Sequence, residues 1–124
     1  MTIEILERGT FVEFRAFGAT TKEEIVQVSW DYHRETPKRL CVWDFRQANV
    51  SALKAENFKT LEVQGAEIAS FRGNGARNAI LLRDTTETVL ASAFSGMTNA
   101  VSKVENEVFL DRDEAIAWLT DASG

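Results

Sequence analysis

The sequence predicts an α/β fold in which a mixed, mostly parallel five-stranded sheet is covered by four helices, in the order ββαβαβαβα. Three observations carry this expectation. Short apolar runs alternate with longer stretches of helical apolar spacing, most of them opened by a capping pattern. Only Arg8-Gly9-Thr10 separates the first two runs, a short glycine-containing link that suggests an antiparallel hairpin. The run from Arg39 to Arg46 is apolar on both faces at its centre, the mark of a strand buried inside a parallel sheet.

The elements follow in order. Residues 3–7 and 11–17 form the opening strands, with Val12, Phe14 and Ala16 on one face and Glu13 and Arg15 on the other. Gly18 punctuates, and Thr20 with Glu23, or Thr21 with Glu24, makes a capping box. The helix that follows carries Ile25, Val28, Ser29 and Tyr32 at helical spacing and stops before Pro37. After the strand 39–46, residues 52–72 form the longest helix, with Phe58, Leu61, Gly65 and Ile68 along one seam. Gly73-Asn74-Gly75 ends it and leads into a second central strand, 78–82. "DTTE" at 84–87 caps a helix to about residue 99. A short strand at 107–110 and the capping box "DRDE" at 111–114 precede a last helix that buries Ile116 and Leu119.

The bulk numbers bound the function. A chain of 124 residues, 44% hydrophobic and 27% charged, can bury a core, and no repeat or Pro/Gly-rich linker divides it, so a single domain over 1–124 is expected. The net charge of −5, with basic residues scattered among acids and no cluster of Lys and Arg on one face, argues against nucleic acid and anionic membrane as partners. The opening "MTIEILERGTF" has no continuous apolar segment and does not read as a signal peptide. The longest charge-free run, 88–102, is too short and polar for a transmembrane segment, which needs about 20 apolar residues. Cys41 is the only cysteine, which excludes an internal disulfide and makes a reducing cytoplasm the simplest location.

Three stretches, "VWDFRQANVSAL", "RNAILLRDTTETVLASAF" and "EVFLDRDEAIAWL", together resemble the SpoIIAA-like, STAS-type domains, and within them the small bacterial proteins described as STAS/SEC14-like. The resemblance covers nearly the whole chain and rests on fold signatures rather than catalytic residues. It implies one of two roles. Anti-sigma-factor antagonists of this fold switch partners through a phosphorylated serine in an Asp-Ser-Ser/Thr-Gly-type loop; others bind small or apolar ligands or serve as interaction modules. After Asp44 this chain reads "FRQANVSALKAENF", without the Asp-Ser pair or the following glycine.

Candidate residues concentrate at the strand end. Asp44 and Arg46 close a central strand, and Asn49, Arg83 and Asp84 are expected at the same edge, where ligands of open α/β sheets bind. An ordinary charge pair at the sheet rim is the better account of them, since no Gly-rich phosphate loop precedes a helix. Ser51 stands where a helix cap is needed, and capping, worth about 1 kcal/mol, explains it without phosphorylation. His33 is the only histidine and reads as a helix-surface residue; Cys41 reads as a small core residue; no metal or other cofactor is expected. Trp30 shares a helix face with Val26 and His33 beside the main seam, suiting either a core or a pocket and partner surface. Small residues at four-residue spacing, Ala91 with Ser95 and Ser92 with Gly96, are compatible with a homodimer and also with a monomer.

The expected function is a non-enzymatic regulatory or interaction module that takes a protein partner or a small apolar ligand. The alternatives are an enzyme using Asp44, Arg46, Asn49, Ser51 and Asp84, and a partner switch phosphorylated at Ser51.

Overall fold

The computed structural model describes residues 2–49, 60, 63–64, 67–68, 70, 72, 75–83 and 105–121. Strands β1 (Thr2–Glu7) and β2 (Val12–Ala19) form the expected antiparallel hairpin, with Ile5 opposite Phe14. Its turn needs a left-handed residue, and Gly9 supplies it at φ 83°. Helix α1 (Lys22–Glu35) starts at the second of the two expected boxes. Thr21 Oγ1 accepts from the Glu24 N–H at 3.3 Å and donates to Glu24 Oε1 at 3.1 Å. The helix ends at Thr36, just before Pro37.

Strands β3 (Leu40–Asn49), β4 (Arg77–Leu81) and β5 (Glu105–Phe109) follow, and helix α2 (Arg112–Thr120) closes the described chain. The sheet order is β1-β2-β3-β4-β5; the first pair is antiparallel and the other three are parallel. Asp111 caps α2 by accepting from the N–H groups of Asp113 and Glu114 at 2.7 and 3.1 Å. Of the other two expected helices, the described residues between 60 and 72 are helical, while 84–99 lies outside the described residues. Among the described residues no helix is long and apolar enough to cross a membrane.

Alternation along β2 and β3 divides the core. Val12, Phe14 and Ala16 join Cys41, Trp43 and Phe45 on one face, under Ile25, Val26, Val28 and Tyr32 of α1. Phe14 is fully buried, stacks on Trp43 at 4.4 Å between ring centroids and meets Tyr32 edge-on at 5.5 Å. On the other face Leu40, Val42, Ala79 and Leu81 pack under Ala115 and Leu119 of α2. That helix lies across β3, β4 and β5, so the same face of β1 and β2 has no helix of its own among the described elements.

β3 runs further than its sequence suggests. The strand was expected to stop at Arg46, with Asn49 in a polar link; instead it continues to Asn49, paired with Ala19. The register explains the extension. Arg15 faces Asp44 but Phe17 faces Gln47, so β3 carries one extra residue, a bulge at Phe45-Arg46. The bulge breaks the alternation that sequence periodicity relies on and lets pairing resume beyond it.

Truncating the most central ring should test this core. Phe14→Ala is expected to cost about 3–5 kcal/mol in chemical denaturation, because it leaves a cavity against Trp43 and Tyr32.

Candidate functional site

The bulge creates the local geometry of the predicted strand-end site. Asp44, almost buried, accepts the Arg46 backbone N–H at 3.0 Å through Oδ1. The Arg46 side chain returns to the same carboxylate, Nε to Oδ1 at 3.0 Å and Nη2 to Oδ2 at 2.9 Å. A carboxylate two residues before a bulged backbone thus holds both its N–H and its guanidinium. The hydrogen bonds that Arg46 donates to Asp44 hold the Arg46 pKa above its usual value despite partial burial. Asn49 is exposed at the strand end, and its carbonyl accepts from the Thr20 N–H at 3.0 Å. Arg83 is exposed just past β4. Ser51 and Asp84 lie outside the described residues.

Trp30 is not part of this group. Its indole N–H donates to Gln64 at 2.9 Å and the Arg34 guanidinium sits 5.6 Å from its ring, so it braces α1 against helical Gln64. That is the α1 side of the sheet, whereas Asp44 follows Val42 onto the α2 side and the Arg46 side chain meets it there.

On the α2 side a second and larger charge centre appears that the sequence reading missed. Glu13 on β2 has no solvent exposure. Its Oε1 accepts from Arg8 Nε at 3.3 Å and Arg112 Nη2 at 2.8 Å; its Oε2 accepts from Arg15 Nε at 3.2 Å and Arg112 Nε at 3.3 Å. Burial alone would raise its pKa, but the hydrogen bonds and charges of Arg112 and Arg15 outweigh that and hold it down to about 2. Arg46 is near enough to be felt by Arg112, which places the Asp44–Arg46 pair beside this centre. The expectation of basic residues scattered over the surface is therefore corrected: Arg8, Arg15, Arg46 and Arg112 converge on one side of the sheet. One signal was present in the sequence. Arg112 opens a helix, where the macrodipole disfavours a cation, so another interaction had to hold it there.

The expectation of a surface histidine is also corrected. His33 is 1% exposed, because the end of α1 folds back over β3. Its Nδ1 accepts from the Lys38 N–H at 3.3 Å, so the neutral ring carries its hydrogen on Nε2, which lies 3.4 Å from Cys41 Sγ. Arg72 donates to the same sulfur at 3.1 Å and to the carbonyls of Lys38, Arg39 and Arg77 at 2.9, 3.0 and 3.2 Å. A His beside a Cys suggests nucleophilic chemistry, yet burial lowers the His33 pKa to about 3, with Arg72 adding to the effect. Burial likewise pushes the Cys41 thiol up to about 11 against the pull of Arg72 and Lys38. A buried thiol that stays protonated at neutral pH is structural. The cluster ties the starts of β3 and β4 to the helical residue 72. Among the described residues no three His, Cys, Asp or Glu side chains gather as metal ligands.

No family model matches the chain, and no curated protein does. A solved structure does: an uncharacterised DUF3478-family protein from Shewanella loihica PV-4, described as having a SpoIIAA-like fold, aligns over 95% of this chain and 92% of its own at 19% identity and a TM-score of 0.54. The chain has a SpoIIAA-like fold. The expected α/β architecture and the resemblance read from the three sequence stretches hold at the level of that fold. Within the SpoIIAA-like sheet of this chain, the arginines occupy the side that α2 covers only in part, and the His33–Cys41 pair lies under the other.

Acidification should weaken the fold in two steps. Both shifted groups have folded-state pKa values below their ordinary ones, so the unfolded chain binds more protons as the pH falls. The His33 contribution is complete above 6.5 and is lost as pH falls towards about 3. The Glu13 contribution is complete above 4.5 and is lost towards about 2. Denaturation at a series of pH values should show a decline starting below 6.5 and steepening below 4.5. In His33→Gln the decline between 6.5 and 4.5 should flatten; an unchanged slope would show that His33 is not the group being protonated.

Proposed function

We propose that this chain is a non-enzymatic regulatory or interaction module that takes a protein partner or a small apolar ligand, with the end of β3 at Asp44, Arg46 and Asn49 part of its contact surface. The observation that carries this reading is the state of Asp44. Its two oxygens already receive three donors from Arg46, and in doing so they hold the bulge of β3. A carboxylate acting as acid, base or nucleophile must turn a lone pair or proton toward a substrate; this one is turned toward its own strand. Glu13 is likewise surrounded by guanidinium donors and sits far below the range of a useful acid or base at neutral pH. What such a surface offers a partner is the outward half of each guanidinium, and arginine is the charged residue most suited to interfaces.

Asp44→Ala is expected to lower stability by about 1–2 kcal/mol, since it leaves Arg46 and the bulge N–H without their acceptor while Arg46 stays partly solvated. Chemical denaturation measures that loss. In parallel, a substrate screen on the wild-type protein should find no turnover that depends on Asp44; turnover abolished by this substitution overturns the module reading. Native mass spectrometry of freshly purified protein should show a second copy or a retained ligand mass, and a ligand-free monomer counts against both specific forms of the proposal.

A further inference from the structure

The Glu13 centre is unbalanced in a way that the Asp44 centre is not. Asp44 meets one guanidinium and the pair is neutral. Glu13 meets three, from the β1–β2 turn, from β2 and from α2, so the groups in direct contact carry two more positive than negative charges. Holding like charges this close is unfavourable, and the chain's overall charge of −5 makes the local excess stand out. Asp111 and Asp113 are also felt here, by Arg46 and Arg112 respectively, but both side chains sit at the exposed start of α2, where solvent screens them. Glu4 faces Arg15 across β1 without an ion pair to it.

The buried carboxylate also fixes how the arginines present themselves. Arg8 and Arg15 each reach Glu13 through Nε alone, which leaves both Nη groups of each side chain without an acceptor among the described residues. Their side chains are 39% and 35% exposed, and that of Arg112 is 31% exposed. Three guanidinium groups are thus anchored at one end by a carboxylate with no solvent exposure and open at the other. Anchoring removes rotamer freedom that a ligand would otherwise have to freeze.

We infer that Arg8, Arg15 and Arg112, oriented by buried Glu13, form a binding site for the phosphate monoester group of a small soluble molecule. The match is one of charge and shape. A phosphate monoester carries about −1.5 to −2 at neutral pH, close to the local excess. Its three terminal oxygens point in different directions, as do donors arriving from three separate elements, whereas a carboxylate presents two coplanar oxygens suited to a single fork. This goes beyond the module reading and does not depend on it, because binding is read whether or not any substrate is turned over.

The test is a titration of the whole chain with inorganic phosphate and with phenyl phosphate at constant ionic strength, following the arginine Nε–H signals by NMR. Saturable shifts of Arg8, Arg15 and Arg112 are expected with both probes, and tighter with phenyl phosphate if an ester is the natural ligand. Arg8→Gln and Arg15→Gln should each weaken binding by about fivefold to tenfold, and Arg34→Gln, on the opposite side of the sheet, should not. Each single variant keeps Arg112 on Glu13, and circular dichroism checks that it folds. The inference is overturned by shifts that do not saturate, by acetate binding as tightly as phosphate, or by Arg8→Gln and Arg15→Gln both binding like wild type.

Discussion

A carboxylate with no access to water lies near the start of β2, and the α2 side of the molecule is arranged around it. An ionised side chain so placed forfeits its hydration and persists only if charge and hydrogen bonds replace it. Arg8, Arg15 and Arg112 do so from the hairpin turn, the strand itself and the last helix. Glu13 therefore links the opening hairpin to the last helix of the described chain. Removing either side of such a buried pair commonly costs about 3–5 kcal/mol, so the contact constrains where α2 can start as firmly as the apolar packing of Ala115 and Leu119 does.

The need for this arrangement follows from topology. Strands β2 to β5 are neighbours in the order in which they occur, and right-handed returns from β2 to β3 and from β3 to β4 pass over the same face. α1 is on that face, and the helical residues Gln64 and Arg72 meet Trp30 and Cys41 there. The opposite face is left to α2, which is short and lies over β3 to β5. β2 therefore cannot be apolar on both sides as β3 nearly is. Its Val12, Phe14 and Ala16 face α1, and its Glu13 and Arg15 face the α2 side, which α2 reaches only at its start, through Arg112. The arginines cover the sheet where a helix would otherwise be needed, their stems shielding Glu13 while their heads stay wet.

This division explains what could be read in the sequence. Among the described residues, element types and order are legible because capping boxes at Thr21 and Asp111, alternation in β2 and the doubly apolar centre of β3 are local patterns. The length of β3 is not, because a bulge shifts the register by one residue and leaves no compositional trace. Asp44 and Arg46 meet because they are two residues apart, whereas which side of the sheet Trp30 occupies relative to them is a tertiary matter that no local pattern carries. Ser51 and Asp84 lie outside the described residues. Glu13 was assigned to the polar face of its strand, which is right, yet alternation says nothing of how deeply that face is covered. His33 misled for the mirror-image reason. A polar residue near the end of an amphipathic helix looks solvated until the following chain, Lys38 to Cys41, folds over it.

The two acid–arginine centres differ most in the distance along the chain that they span. Asp44 and Arg46 are separated by two residues, and their pairing is complete once a single strand bends. Such a pair is self-contained: one anion, one cation, and no demand on any other element. Glu13 and Arg112 are separated by 99 residues, and Arg8 arrives through a turn. Their meeting is a product of tertiary folding, so nothing in the linear pattern of charge balances it. A basic residue in a mixed-charge sequence looks neutralised by its neighbours, but after folding the relevant neighbours are others. An overall acidic chain can in this way concentrate positive charge on one side of its sheet, and it does so where the described helices leave that face largely uncovered.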